Sequence, residues 1–317
     1  MTSEIKDCFA CVPCKRDDCC AKTENYKDTD FQDDFIHDLE DVANGDKLTL
    51  EESNLLRKKL NSKIEKRKCP DALSAFPLRA WRCDELQIPP LTVYGNGRGI
   101  RPLQSCDRVP KIILILESPH KAEYVMRKCE HFADCCLYST PAPVRGNTGK
   151  NVKTILPQMF GERFDDYSVA FMNLIQYQCS LGLDLNGDSL RLKNKIVWAL
   201  FDKYRENFFK RFTDAYCPDN DIVLICPTGG VKCRQRVYEA LRDKFDDLRC
   251  VLTTGHPSSW GVSCACRAIS VLECTNMTEQ SISDLTFCKA NAHQLYDALS
   301  GRMNNKLPVN GPISFNG

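Results

Sequence analysis

Short apolar runs alternate along this chain with stretches of helical spacing, and nearly every chemically suggestive side chain falls where an apolar run stops. The five apolar residues at 112–116, extended by the stem of Lys111, are too few to cross a bilayer. They predict a strand buried on both faces, as in the middle of a parallel sheet. Runs at 168–175 (SVAFMNLI), 221–226 (DIVLIC) and 250–254 (CVLTT) predict three more such strands. Between them, helical patterns cover 121–132, 152–160 (where Pro157 kinks or ends the helix) and 190–212 with Trp198, Phe201, Phe208 and Phe209. A further helix leaves Thr228-Gly229-Gly230 and reaches Phe245, and a last one spans 282–299. Strands alternating with helices predict an α/β protein: a three-layer α/β/α sandwich around a parallel sheet of about four strands, over residues 106–317.

Residues 1–105 read differently. A helix over 29–41 carries Phe31, Phe35, Ile36 and Leu39 at helical spacing, and a second over 50–68 opens on Thr49-x-x-Glu52, a capping box. The second ends in a basic cluster that reads first as a solvated face and second as a phosphate-contacting patch. Residues 69–109 are rich in Pro and Gly and form an irregular lead-in to the first core strand. The whole segment is expected to be a mostly helical N-terminal extension.

Charge narrows the partners. The 317 residues hold 43 Lys and Arg against 42 Asp and Glu, so any nucleic-acid contact must be a local patch. The start of the chain has no export-type apolar region and no run approaches membrane-spanning length, which predicts an intracellular, non-secreted monomer without a membrane partner. Most of the 20 cysteines are then expected as reduced thiols, with Cys226 and Cys250 filling the core. The spacing of Cys8, Cys11, Cys14 and Cys19 suits a structural zinc or iron–sulfur site, against the plainer reading of a cysteine-rich tail. No cofactor is expected to be needed for the chemistry.

Three strand ends carry that chemistry: Glu117-Ser118-Pro119-His120, Asn173, and His256-Pro257-Ser258-Ser259. In open α/β sheets ligands bind at the carboxyl ends of the strands. An acid, an amide and an imidazole there can position water, read a base edge and stabilise a leaving anion. The plainer readings are a helix-capping acid, a turn-forming Asn and a satisfied core His. A phosphate loop is disfavoured at GNTGKN, 146–151, because no strand precedes it and Asn151 stands where Ser or Thr belongs. A Ser118–His256 hydrolase pair lacks the strained nucleophile turn.

Over residues 110–262 the chain resembles the uracil-DNA glycosylase superfamily, above all its thermophilic iron–sulfur branch. LESPH is similar to the family's first motif, GNTGKNVKTIL to a helix start, VAFMNLIQ to a strand ending in Asn, and TTGHPSSW to the closing His-Pro-Ser motif. The resemblance implies a DNA glycosylase that flips out a pyrimidine, possibly modified, and leaves an abasic site. Its alternative is a non-catalytic module that binds DNA or a modified base. In the first case Glu117 orients water or stabilises the sugar cation, Ser118 takes a catalytic position, and His256 stabilises the departing base. Asn173 pairs with the flipped base and His120 stands beside it. Ser258, Ser259, Trp260 and Lys150 contact DNA, with Trp260 near the residue that wedges into the stack. Val144 stands where the family has its stacking aromatic, and together with His120 it implies room for a different or larger base. The branch's cluster cysteines have no counterparts, Cys179 being displaced.

Overall fold

The computed structural model describes residues 32–62, 65, 67–74, 77–82, 100–103, 109–124, 143–144, 146–160, 162–183, 187–262 and 269–274. The Ile112–Leu116 run forms the central strand of an α/β fold because every residue in it can be buried on either face. Strand β3 (Lys111–Leu116) pairs in parallel with β4 (Ser168–Asn173) on one side and β5 (Ile222–Ile225) on the other, and β5 pairs in parallel with β6 (Cys250–Thr253). These four are the strands the apolar runs predict. Among the described residues the sheet is nevertheless wider and mixed, with seven strands in the order β2-β1-β4-β3-β5-β6-β7. The added strands β1 (Ala72–Ser74), β2 (Ile100–Pro102) and β7 (Ser270–Cys274) are antiparallel to their neighbours. Two of them contain three residues each, too few for periodicity to reveal.

Apolar side chains from successive residues of β3 enter two separate clusters. Ile113 and Ile115, with Ala170, Met172 and Val223, pack against α1 (Gln32–Asn44), α2 (Leu50–Leu60), α5 (Gly187–Ala215) and α6 (Gly230–Lys244). Ile112, Leu114 and Leu116, with Phe171 and Leu224, pack against α4 (Asn147–Met159) and α3 (Leu78–Arg82). Each Ile or Leu fully removed from water contributes roughly 1.5–3 kcal/mol, so a strand apolar on both faces suits the middle of the sheet.

The boundary expected near residue 105 does not divide the described residues into two cores. Phe35 and Leu39 of α1 and Leu56 of α2 are fully buried in the same cluster as Ile113 and Phe201, and β1 and β2 extend the same sheet. The Thr49 capping box forms in both directions, with Glu52 N–H to Thr49 Oγ1 at 3.3 Å and Thr49 N–H to Glu52 Oε2 at 2.8 Å. That helix stops at Leu60 rather than continuing to residue 68, and the helix expected over 121–132 is, in the described part, a single 3-10 turn at Lys121–Tyr124. The helix expected over 282–299 lies outside the described residues, as do Phe31 and the N-terminal cysteines.

At the amino ends of the central strands Lys111 and Asp221 form an ion pair of 2.9 Å with both side chains fully buried. Asp221 Oδ1 also accepts the Lys111 backbone N–H at 3.1 Å, which ties the start of β5 to the start of β3. Among the described residues no helix is long and apolar enough to cross a membrane.

Candidate active site

Glu117 is the first residue past β3, and it is buried at 2% exposure. A lone carboxylate at that depth would take up a proton. Here Lys193 of α5, equally buried, donates to Oε1, and the backbone N–H of Thr228 past β5 donates to Oε2 at 3.0 Å. His256, past β6, brings Nε2 to 3.6 Å from the same oxygen. Burial pushes the Glu117 carboxyl up, but the Lys193 ammonium, then His256 and the two hydrogen bonds, outweigh it and hold the group at about 2. Three successive strand exits thus converge on one ionised carboxylate. Sequence reasoning found Glu117 and His256 but missed Lys193.

The turn after β6 sets the imidazole. His256 Nδ1 accepts the Ser258 N–H at 3.2 Å and lies 2.8 Å from Ser258 Oγ. A ring nitrogen that accepts a backbone N–H carries no proton, so the neutral imidazole holds its proton on Nε2, facing Glu117. Burial lowers the His256 pKa, Glu117 opposes this, and Lys193 and His120 add to the lowering, so the neutral ring is favoured. At 3.6 Å the Nε2–H is beyond hydrogen-bond range of Glu117 and remains available to an acceptor. Ser259 donates from Oγ to the His256 carbonyl at 2.7 Å. Both serines expected to hold phosphate therefore spend their hydroxyls inside the turn.

Trp260, expected among the DNA contacts near the wedging residue, is instead fully buried and donates from Nε1 to the Gly255 carbonyl at 2.8 Å, so its indole anchors the turn. The GNTGKN segment opens α4 on Gly146, whose φ of +82° suits a residue without Cβ. Asn151, one turn in, donates from Nδ2 to the carbonyls of Pro257 at 2.8 Å and Ser258 at 3.3 Å. That contact clamps the His256 turn to the helix. Lys150 lies exposed on the same first turn.

A second carboxyl lies beneath the site. Glu123 is buried at 4% exposure and accepts the Val144 N–H at 2.8 Å and the His120 N–H at 3.2 Å. Burial, against those two hydrogen bonds and with the Glu117 charge adding, pushes its carboxyl up to about 8. It joins the segment after β3 to the turn before α4, where Val144 is held at φ +57°. A β-branched residue there is strained and stays only because its surroundings dictate it. The ring of His120 turns back on its own segment, with Nδ1 accepting the Ala122 N–H at 3.3 Å.

Asn173 ends β4 in register with Leu116 and shares its face of the sheet, toward α4. Its carbonyl oxygen accepts from Arg211 Nη2 at 2.8 Å, while Arg211 Nη1 grips Asp71 at 2.7 and 2.5 Å. The Asn173 Oδ1 and Ser118 Oγ atoms are buried without a hydrogen-bond partner among the described residues. No hydrogen bond in the described residues links the Asn173 side chain to Glu117 or His256. Ser118 lies against the Cys179 thiol, which burial pushes up to about 12 and so keeps protonated.

Among the described residues no group of three or more His, Cys, Asp or Glu side chains is placed to hold a metal, and Cys8, Cys11, Cys14 and Cys19 lie outside them. Comparison with protein-family models, with curated proteins and with solved structures finds no match to this chain.

Proposed function

We propose that the protein is a DNA N-glycosylase that takes a pyrimidine out of the stack and hydrolyses its glycosidic bond, leaving an abasic site. The observation that carries this reading is the ionised Glu117 carboxylate with His256 Nε2–H beside it at the carboxyl ends of a parallel sheet. A carboxylate held near about 2 is a poor proton acceptor, so its part is electrostatic: it stabilises the positive charge on the sugar as the bond to the base breaks. His256 Nε2–H, the one donor of the neutral ring, then hydrogen-bonds a carbonyl oxygen of the departing base. Water adds to the sugar carbon, and its proton leaves to solvent or to the base. Asn173, with a buried amide oxygen lacking a partner, is the candidate reader of the base edge. The architecture this implies is a three-layer α/β/α sandwich, the protein an intracellular monomer, and the partner DNA.

One observation favours the second reading, a glycosylase-like module that binds without cutting. Lys193 and the Thr228 N–H already engage both oxygens of Glu117, and the Lys193 ammonium balances its charge. A single experiment separates the two. Genomic DNAs carrying different pyrimidines are incubated with the protein and the supernatant is analysed by mass spectrometry. A released base, lost in His256→Ala, supports the enzyme. Retention of DNA with no release from any of them sinks the enzyme and leaves the module.

A further inference from the structure

We propose that Lys193 is a positioning residue of this site: its ammonium fixes the Glu117 carboxylate at the exit of β3, so that the one proton poised there is that on His256 Nε2. This rests on the reading of Glu117 and His256 as the reacting pair. Two consecutive residues of α5 hold the carboxylate from both flanks. Lys193 donates directly to Oε1. Asn194 acts through Thr228, whose hydroxyl donates to Asn194 Oδ1 at 2.8 Å while its backbone N–H donates to Glu117 Oε2 at 3.0 Å.

The groups around the pair explain why a lysine is needed. From the segment after β3 come His120 and Glu123, and Glu123 stays protonated near neutral pH because burial pushes it up to about 8. From the loop before α5 comes Cys179, and from the exit of β5 and from α6 come Cys226 and Cys233, all thiols pushed up by burial and so uncharged. His256 itself favours the neutral ring. Lys193 is therefore the lasting positive charge in contact with Glu117 among the described residues. Without it the buried carboxylate would take up a proton. Glu117 would then be a hydrogen-bond donor competing with His256 Nε2–H for the same acceptor, and no negative charge would face the sugar.

A merely structural ion pair would lower stability when broken and leave the shape of a pH profile alone. The test follows the Glu117 side-chain carboxyl by carbon-13 NMR and, in parallel, base release from a DNA duplex carrying uracil or whichever pyrimidine the mass-spectrometric assay finds released. In the full-length wild-type protein the carboxyl is expected to stay ionised down to about pH 3. In Lys193→Met it should titrate at least about 2 units higher. The acid limb of base release should move up with it, whereas Lys193→Arg should leave both near their wild-type positions. Should Lys193→Met not fold, Lys193→Gln keeps a hydrogen bond without the charge and is expected to behave in the same way. An unmoved Glu117 titration in the neutral variant overturns the proposal, and so does a moved titration with an unmoved acid limb. A wild-type protein that releases no base overturns the glycosylase reading instead, and the carboxyl titration still decides whether Lys193 holds Glu117.

Discussion

Glu117 and Lys193 illustrate how differently two buried charges announce themselves. Glu117 follows an unbroken apolar run, which marks it at once. Lys193 stands among Arg191 and Lys195 on a long helix and reads as part of a solvated face. The missed signal is its spacing: Val197 and Leu200, four and seven residues on, are buried on the same helical stripe. Breaking the pair from one side is expected to be costly. Glu117→Gln leaves a buried ammonium without a counter-charge and should cost about 3 kcal/mol in chemical denaturation. Glu117→Gln with Lys193→Met should recover a large part of that loss, and simple additivity of the two single variants would contradict their coupling. Glu123 was equally hidden, since nothing in KAEY separates a buried acid from an exposed one. Its pH signature is opposite to that of Glu117. The folded protein prefers Glu123 protonated, so the stability it contributes is full below its ordinary value of 4.5 and is lost as pH rises through about 8. Glu117, held at about 2, loses its contribution only as pH falls toward that value. His256, lowered from 6.5, makes stability rise with pH below 6.5, which leaves pH 6.5–8 as the clean window for Glu123. Unfolding free energy should fall there by up to about 1.4 kcal/mol per pH unit. Glu123→Gln should flatten the slope, and an unchanged slope would assign it elsewhere.

At the scale of elements, the four parallel strands were legible because each is a continuous apolar run ended by polar residues. The antiparallel strands β1, β2 and β7 were not. β1 and β2 hold three residues each, all three strands lie in Pro- and Gly-rich or mixed stretches, and only pairing with the existing sheet makes them strands. The turn between β5 and α6 was legible in outline as Thr-Gly-Gly, but its two glycines are not equivalent. Gly229 has φ +96° and a Cβ there would lie 2.5 Å from Cys233 Sγ, while Gly230 has φ +79° and open space around it. Gly230→Ala should therefore cost only the backbone strain, about 1 kcal/mol. Gly229→Ala adds a steric clash, should cost roughly twice that or more, and should disturb the Thr228 N–H that supports Glu117. Equal losses in thermal melts of the two variants would show that the Cys233 contact relaxes freely.

For the molecule as a whole, charge says little until each cation is placed. Arg57, at the front of the basic cluster of α2, is committed to the end of α1 through Ala43 O at 3.1 Å and Asn44 Oδ1 at 3.0 Å. The N–H groups of His120 and Ala122 and the hydroxyls of Ser258 and Ser259 are engaged locally. DNA binding, if it follows the proposed function, should therefore neutralise few phosphates. Log affinity should fall with log salt at a slope of about −2 to −4, unchanged in Lys58→Glu with Lys59→Glu. A steeper slope that this double variant reduces would bring α2 into the interface. The pair Lys111–Asp221 bears on assembly rather than binding. Between Lys111 and Glu117 lie five residues, Ile112 to Leu116, that are equally content on either face, so hydrophobicity alone does not tell β3 which residue to place beside which neighbour. The charges do. A slip by one residue would pull Lys111 from Asp221 and Glu117 from Lys193 at once, stranding ions at both ends of the central strand. Lys111→Met with Asp221→Leu should thus keep much of the stability yet lose sharpness, with broadened or doubled amide signals from β3, because one end of the gauge that sets its alignment has been removed.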